Sequence, residues 1–381
     1  MLPASLRTIL QLGDGNQSPQ EARLLVRLEL VQFLSYMAVT ATALYVAVLG
    51  KELGLSNVEI GTLVTGYALA LLVSTYVFGT LSDVYGTRPF LIGGFLFSGL
   101  MLLIHVLVFN YQSFLFTRLI TGVALGIYPG ALFSLASKMN AKMGRFSAFG
   151  ALGGFVGLVT AGAVTGTFGT RALFVLCALA VFVAFALSIP LKDRGQVVDR
   201  ASISPMRTFK ENLGIYVTLL VRHSGANLAW TFWPLYLLVL GANYFYVGVI
   251  SASNSLAQFL ASFYLADRFD GRKEFDIGLM LSGLTLVGLG LATNLAQAWL
   301  LYVLIGGIWG FVYVGGLRTV LDRSNQKGAT VAAYNSVVNL STLLGPMMAT
   351  VLIEFADYRA TMYVAAALAF ASYVISKKLK T

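Results

Sequence analysis

The chain has 381 residues, of which 57% are hydrophobic and only 11% charged, and its formal net charge is +10. Soluble domains carry about 25% charged residues, so the composition excludes a water-soluble globular protein. The apolar runs are long and continuous, as a bilayer-spanning helix of about 20 residues requires, and lack the alternation of barrel strands.

The first predicted element begins at Ser18-Pro19-Gln20-Glu21, which offers a Ser cap, a Pro at the first helical position and a Glu three residues after the cap. The first span runs from there to about residue 48, and five more follow at roughly 58–79, 90–109, 113–136, 145–166 and 169–190. A polar segment from Lys192 to Asn212 reads as a linker, and its Ser204-Pro205 repeats the Ser-Pro helix start. Six further runs lie at roughly 213–239, 246–266, 275–294, 296–320, 328–352 and 359–376. The expected organisation is an N-terminal six-helix half (1–190), a cytoplasmic linker (191–212) and a C-terminal six-helix half (213–381). Cys177 is the only cysteine, which excludes an intrachain disulfide, and its apolar surroundings predict a packing role. The first 20 residues show no signal-peptide pattern.

The basic residues sit in short loops and form no patch with interleaved aromatics, which argues against nucleic acid. With both termini placed in the cytoplasm, 21 of the 26 Lys and Arg fall on the inner side. Only Lys51, Arg171 and Arg359 fall outside, and Arg118 and Arg222 lie within spans. This bias fits the positive-inside rule.

An internal repeat has an offset of 184 residues. It relates Asp83 to Asp267, Gly122 to Gly306 and Gly126 to Gly310, and Arg171 and Arg359 open the sixth and twelfth runs. The turn after the second run reads Gly79-Thr80-Leu81-Ser82-Asp83-Val84-Tyr85-Gly86-Thr87-Arg88-Pro89. Its partial copy is Leu265-Ala266-Asp267-Arg268-Phe269-Asp270-Gly271-Arg272-Lys273.

These turns resemble the Gly-x-Leu-Ala-Asp-Arg-x-Gly-Arg-Arg/Lys signature of the major facilitator superfamily (MFS) of secondary transporters. Gly79, Leu81, Asp83, Gly86 and Arg88 match it, while Ser82 and Val84 depart. In the copy, Asp270 is an extra residue before the glycine. Arg118-Leu119-Ile120-Thr121-Gly122-Val123-Ala124 resembles the family's span-four pattern, with Thr121 and Ala124 departing. The glycines of span five, Gly150, Gly153, Gly154, Gly157 and Gly162, resemble half of the drug/proton antiporter signature, whose proline is absent. The resemblance implies an all-α polytopic fold of twelve transmembrane helices in two pseudo-symmetric six-helix bundles, with a site near the midplane. It implies gating by Gly79, Asp83, Gly86 and Arg88 and by Asp267, Arg268, Gly271 and Arg272, through a bond between halves that breaks when the cytoplasmic side opens. A static loop anchor is the other reading of these turns.

If that fold holds, spans one, four, seven and ten line the central cavity, and the asparagines of span eleven line its wall. Substrate-binding candidates are Gln32 and Tyr36 in span one, and Arg118 and Tyr128 in span four. Span seven adds Arg222, His223, Asn227 and Trp230, span ten Trp309 and Tyr313, and span eleven Asn335 and Asn339. Thr40, Thr121, Thr231 and Tyr302 share these faces. Unpartnered polar groups are costly in hydrocarbon, and a charge at mid-membrane costs at least about 2.5 kcal/mol. Arg222 should therefore face protein or water, whereas Arg118 is near enough to the outer edge to snorkel. Glu29 is either a protonatable coupling group or an inner-edge residue paired with a basic neighbour. His223 is either titratable near neutral pH or a satisfied, amide-like histidine. Gly122/Gly126, Gly153/Gly157 and Gly306/Gly310 have the spacing of closely packed helices, and Pro346 predicts a kink.

The chain is thus expected to be a multi-pass, monomeric plasma-membrane transporter of a small organic solute working by alternating access, with proton coupling as one form. Its partners are the solute, the bilayer and protons, without nucleic acid, metal or cofactor. A multidrug/proton antiporter, a lipid flippase and a non-transporting receptor are the rival readings. No phosphate loop or nucleophile motif points to an enzyme.

Overall fold

The computed structural model describes residues 19–139, 141, 143–191, 212–264, 270–323 and 327–378. The linker 192–211, Ser18, Asp267 and Arg268 lie outside the described residues, as does the side chain of Asp83. Among the described residues there are thirteen α-helices, one 3-10 turn (His105–Leu107) and no strand. The helices are α1 (Pro19–Glu52), α2 (Asn57–Tyr85), α3 (Thr87–Ile104), α4 (Tyr111–Lys138), α5 (Met143–Phe168) and α6 (Thr170–Ser188). They continue as α7 (Leu213–Thr231), α8 (Trp233–Val239), α9 (Tyr244–Tyr264), α10 (Gly271–Leu291), α11 (Leu295–Asp322), α12 (Lys327–Leu352) and α13 (Tyr358–Lys378).

Nine of these are long and apolar enough to cross a bilayer. The remaining long ones, α7, α9 and α12, are the polar ones: they carry Arg222, His223 and Asn227, Asn254 and Gln258, and Asn335 and Asn339. The run expected as one span at 213–239 is two helices. Pro234 has no N–H for Trp230 O and its ring crowds that carbonyl, so the helix stops at Phe232, whose own N–H bonds Trp230 O, and restarts with Pro in its first turn. Pro346, by contrast, sits inside one continuous α12.

Local chemistry sets the helix ends. Ser56 and Glu59 form a reciprocal capping box at α2, Asp270 caps α10 through the N–H groups of Arg272 and Lys273, and Asn294 caps α11. The extra residue in the second signature turn thus has a local role. Gly86 joins α2 to α3 at φ 87°, a conformation that favours glycine.

Short turns make successive helices antiparallel, so Pro19 and Lys378 share one end of the bundle, here the near end. Within α1–α6, α1 packs on α5 and α6, α2 on α4, and α3 on α4 and α6. Within α7–α13, α7 packs on α12 and α13, α9 on α11, and α10 on α11 and α13. The glycine pairs let helices approach closely, as their spacing predicts: a Cβ on Gly153 would stand 2.1 Å from Phe33 O, and one on Gly306 2.3 Å from Asn254 O. Between the two sets, α5 meets α9, α2 meets α12 and α1 meets α8.

The 184-residue repeat is visible in hydrogen bonds. Arg171 Nη2 donates to Val108 O at 3.0 Å, and Arg359 Nη2 to Ala292 O at 3.3 Å. The two acceptor carbonyls are 184 positions apart.

Candidate functional site

The last seven helices hold a polar and aromatic cluster built around α7. Arg222 is 2% exposed. Its Nε and Nη2 donate to Ser282 Oγ of α10 at 3.2 and 2.9 Å, and the Ser282 hydroxyl donates to Gly278 O at 2.7 Å. Arg222 Nη1 stands 3.5 Å from His223 Nδ1, and the guanidinium lies 4.9 Å from the centre of the Trp309 ring. The His223 ring stacks on Trp309 of α11 at 4.2 Å and 11°. Trp309 adjoins Tyr313, whose hydroxyl donates to Asn335 Oδ1 of α12 at 2.9 Å. Tyr334 packs edge-on against Tyr313 and donates to the carbonyls of Val312 and Tyr313. Five sequence candidates, Arg222, His223, Trp309, Tyr313 and Asn335, therefore converge.

Others do not join them. Asn227 turns to Ser341 and to His223 O. Trp230 packs edge-on against Tyr302 and Trp233, beside the break before α8. Asn339 is exposed, one turn further along α12 from Asn335.

In the first six helices, Arg118 is 2% exposed and its guanidinium lies 3.8 Å over the Tyr67 ring of α2. Its Nε is buried without a hydrogen bond, and among the described residues no carboxylate pairs with it. Tyr128 stacks on Phe95 at 4.2 Å. Gln32 is buried against Gly150, where an added Cβ would stand 2.9 Å from its Nε2. Glu29 is also buried, and it has an interaction partner. Tyr36, about 25 Å along α1 by helical rise, is 45% exposed. Both arginines lie inside the bundle walls, the protein-facing option for Arg222, where ring faces and a hydroxyl replace the water that they would otherwise need.

Hydrogen bonds join the two sets at the far end. Tyr45 OH of α1 donates to Tyr244 O of α9 at 2.5 Å, and Tyr358 OH of α13 to Asn57 Oδ1 of α2 at 2.9 Å. Close backbone approaches accompany them. An added Cβ on Gly61 would meet Thr350 Oγ1 at 2.3 Å, and one on Gly248 would meet Leu158 O at 2.5 Å. Apart from Tyr45, whose Leu44-Tyr45 pair resembles Leu235-Tyr236 in the second half, these residues carried no sequence signal. Their contacts join positions far apart in the chain, and Tyr or Gly alone marks nothing.

At the near end, the signature arginines bind within their own sets. Arg88 Nη2 donates to Ile189 O, past the end of α6, at 3.3 Å. Arg272 Nη2 donates to Ser376 O and Oγ near the end of α13, and its Nε lies 3.6 Å from Asp276. Asp276 also binds Lys377 at 2.6 Å, and Arg318 pairs with the buried Glu274 at 3.5 Å. Gly271 opens α10 against Gly315 O, and Gly79 lies under Gly130. Ser282, Tyr67 and Tyr334 went unread in the sequence, since single hydroxyls and rings on packed helices have no distinguishing spacing.

Comparison with known proteins agrees with this architecture. The Major Facilitator Superfamily model matches residues 28–339 and 215–379. Multidrug resistance protein MdtG of Salmonella heidelberg (strain SL476) is 23% identical over 317 residues, covering 77% of this chain and 78% of that protein. An uncharacterized MFS-type transporter of Methanocaldococcus jannaschii is 27% identical over 191 residues, or 47% of this chain and 49% of that one. Among solved structures, the nucleoside transporter NupG superposes with a TM-score of 0.77 at 12% identity, covering 92% of this chain and 98% of its own. A bacterial homologue of the human lysosomal transporter Spinster, inward-facing and occupied, gives 0.77 at 16% identity, with coverage of 95% and 97%. The chain belongs to the Major Facilitator Superfamily.

Proposed function

We propose that this MFS transporter carries a small, amphipathic, neutral or anionic organic solute across the membrane by alternating access. Two halves, 1–190 and 213–381, rock about a midplane site, and the chain crosses the membrane twelve times, with α7 and α8 together forming the seventh span. The observation that carries the reading is that hydrogen bonds and close backbone contacts join the sets at the far end, while Tyr36 is open at mid-depth. A protein built this way exposes its centre towards the near end. The Lys and Arg bias puts that end in the cytoplasm, so the conformation is the inward-open one. Arg88 and Arg272, each bound within its own set, fit a latch released in this state.

The solute class follows from the cluster. Arg222 is a buried cation, the aromatic faces of Trp309 and Tyr313 suit a flat apolar body, and Asn335 and His223 suit a polar edge. The likeness to MdtG supports a second reading, a multidrug/proton antiporter, in which buried Glu29 carries the proton. Counterflow in proteoliposomes tests the function: a labelled aromatic acid should exchange with unlabelled acid inside. Binding without exchange would instead make the protein a receptor, and movement of labelled lipid between leaflets a flippase.

A further inference from the structure

The mechanism above leaves one chain of contacts unused, and it decides what His223 does. A guanidinium has donors and no acceptor. Arg222 Nη1 points at His223 Nδ1 from 3.5 Å, so a proton on Nδ1 would set N–H against N–H. The favoured tautomer has its lone pair on Nδ1 and its proton on Nε2. Arg222 cannot swing away, because Nε and Nη2 both hold Ser282 Oγ, whose own hydrogen is committed to Gly278 O. Trp309 fixes the imidazole plane from one face, and its ring also receives the guanidinium. The order is therefore Gly278 carbonyl, Ser282 hydroxyl, Arg222 guanidinium, His223 Nδ1, with Nε2–H as the free end. Among the described residues Nε2 has no hydrogen-bond partner, and it is not a sealed buried atom.

We infer that His223 is a fixed Nε2–H donor that selects solutes bearing a hydrogen-bond-accepting oxygen beside a planar ring, and that it is not the proton-coupling group. This rests on the transport reading and adds a specificity determinant to it. The ring of such a solute lies along the Trp309 and Tyr313 faces, and its carbonyl or carboxylate oxygen meets Nε2–H. The titratable or charged groups around His223 are Arg222 on its own helix, Tyr313 on α11 and Tyr334 on α12, which faces Arg222. Among the described residues no carboxylate bonds to Arg222 or His223. A second positive charge on the imidazole thus has no counter-ion there. The sequence leaves His223 between a titratable group and a satisfied, amide-like histidine; the Arg222 contact at Nδ1 makes Nε2–H a donor instead.

The test uses the full-length protein in nanodiscs and three probes: 2-naphthoate, 2-naphthamide and 2-naphthylmethylammonium. Thermal unfolding is followed with each, because a probe that binds the folded state raises Tm. The two oxygen-bearing probes should raise Tm and the ammonium should not. Glutamine places its N–H near Nε2, and asparagine near Nδ1. His223→Gln should keep 2-naphthoate affinity within about threefold, whereas His223→Asn and His223→Phe should each lose about tenfold or more. Wild-type affinity for the neutral 2-naphthamide should not change between about pH 6 and pH 8. Equal behaviour of the Gln and Asn variants, wild-type affinity in His223→Phe, no shift with either oxygen-bearing probe, or a pH-dependent 2-naphthamide affinity that His223→Gln abolishes would overturn the assignment. Ligand-free Tm identifies a variant that does not fold, and the remaining two still decide. Counterflow of 2-naphthoate separates the two claims: binding with the predicted variant pattern but no exchange refutes transport alone, and exchange with unchanged binding in His223→Phe refutes the donor alone.

Discussion

Arg222 Nη2 donates to Ser282 Oγ at 2.9 Å, across the α7–α10 interface and 60 positions apart in the chain. Among the described residues this is the only hydroxyl that the buried guanidinium bonds, and removing it leaves a charge with two unsatisfied donors. Ser282→Ala should cost roughly 1–3 kcal/mol and lower Tm clearly. Arg222→Met removes the charge and leaves Ser282 bonded to Gly278 O, so it should lower Tm less. Thermal unfolding of both variants checks the order, and a wild-type Tm for Ser282→Ala contradicts it.

The far end is held by backbone proximity as well as by hydrogen bonds. A side chain at Gly248 must push against Leu158 O and Gly162 Cα, at 2.5 and 2.6 Å from an added Cβ. Gly248→Leu should therefore wedge α9 from α5 and favour states open at the far end. Membrane-impermeant thiol reagents should then label a cysteine at Tyr36 faster from the far side than in the unwedged protein. Gly93→Leu, where nothing stands within 4 Å of an added Cβ, is the control and should leave the labelling unchanged.

The near-end turns give an asymmetric prediction. Asp83→Asn and Asp267→Asn should both shift the protein towards near-end-open states, but unequally. Val84 replaces an arginine in one turn, and Asp270 is committed to capping α10 in the other. Equal labelling of near-end cysteines in both variants and the parent removes the latch and leaves plain turns.

If transport is proton-coupled, the buried Glu29 is the acid that carries it once His223 is assigned as a donor. Glu29→Gln should abolish accumulation driven by a pH gradient while counterflow at equal pH persists. Gradient-driven accumulation that survives in the variant removes Glu29 from coupling.

Much of the fold was legible because membrane solvent imposes long apolar runs, and because the 184-residue repeat preserved chemistry as well as spacing. Val108 and Ala292 are both carbonyl acceptors for an arginine that opens the last helix of its set. The break at Phe232 was legible in principle, since Pro234 stands in the run, but Pro346 stands in a run too and leaves α12 continuous. Proline alone therefore does not decide whether a helix stops. The site was legible where polar and aromatic residues shared a helical face, as at His223, Trp309 and Tyr313. It was illegible where function depends on pairing: Ser282 under Arg222, Tyr67 under Arg118, and Tyr45 against Tyr244 join positions that no local pattern connects.

The central claim is that the two helix sets exchange closure between ends while a solute occupies the middle. Its most direct measurement is 2-naphthoate counterflow in proteoliposomes containing the Gly61→Cys/Thr350→Cys protein in a Cys177→Ala background, before and after oxidation. An added Cβ on Gly61 would lie 2.9 Å from Thr350 Cβ, closer than the roughly 3.5–4.5 Å that a disulfide spans, so α2 and α12 part by about 1 Å to admit the bond. Alternating access predicts exchange in the reduced protein, loss of exchange on oxidation, and recovery with reductant. Undiminished exchange in fully cross-linked protein would contradict it.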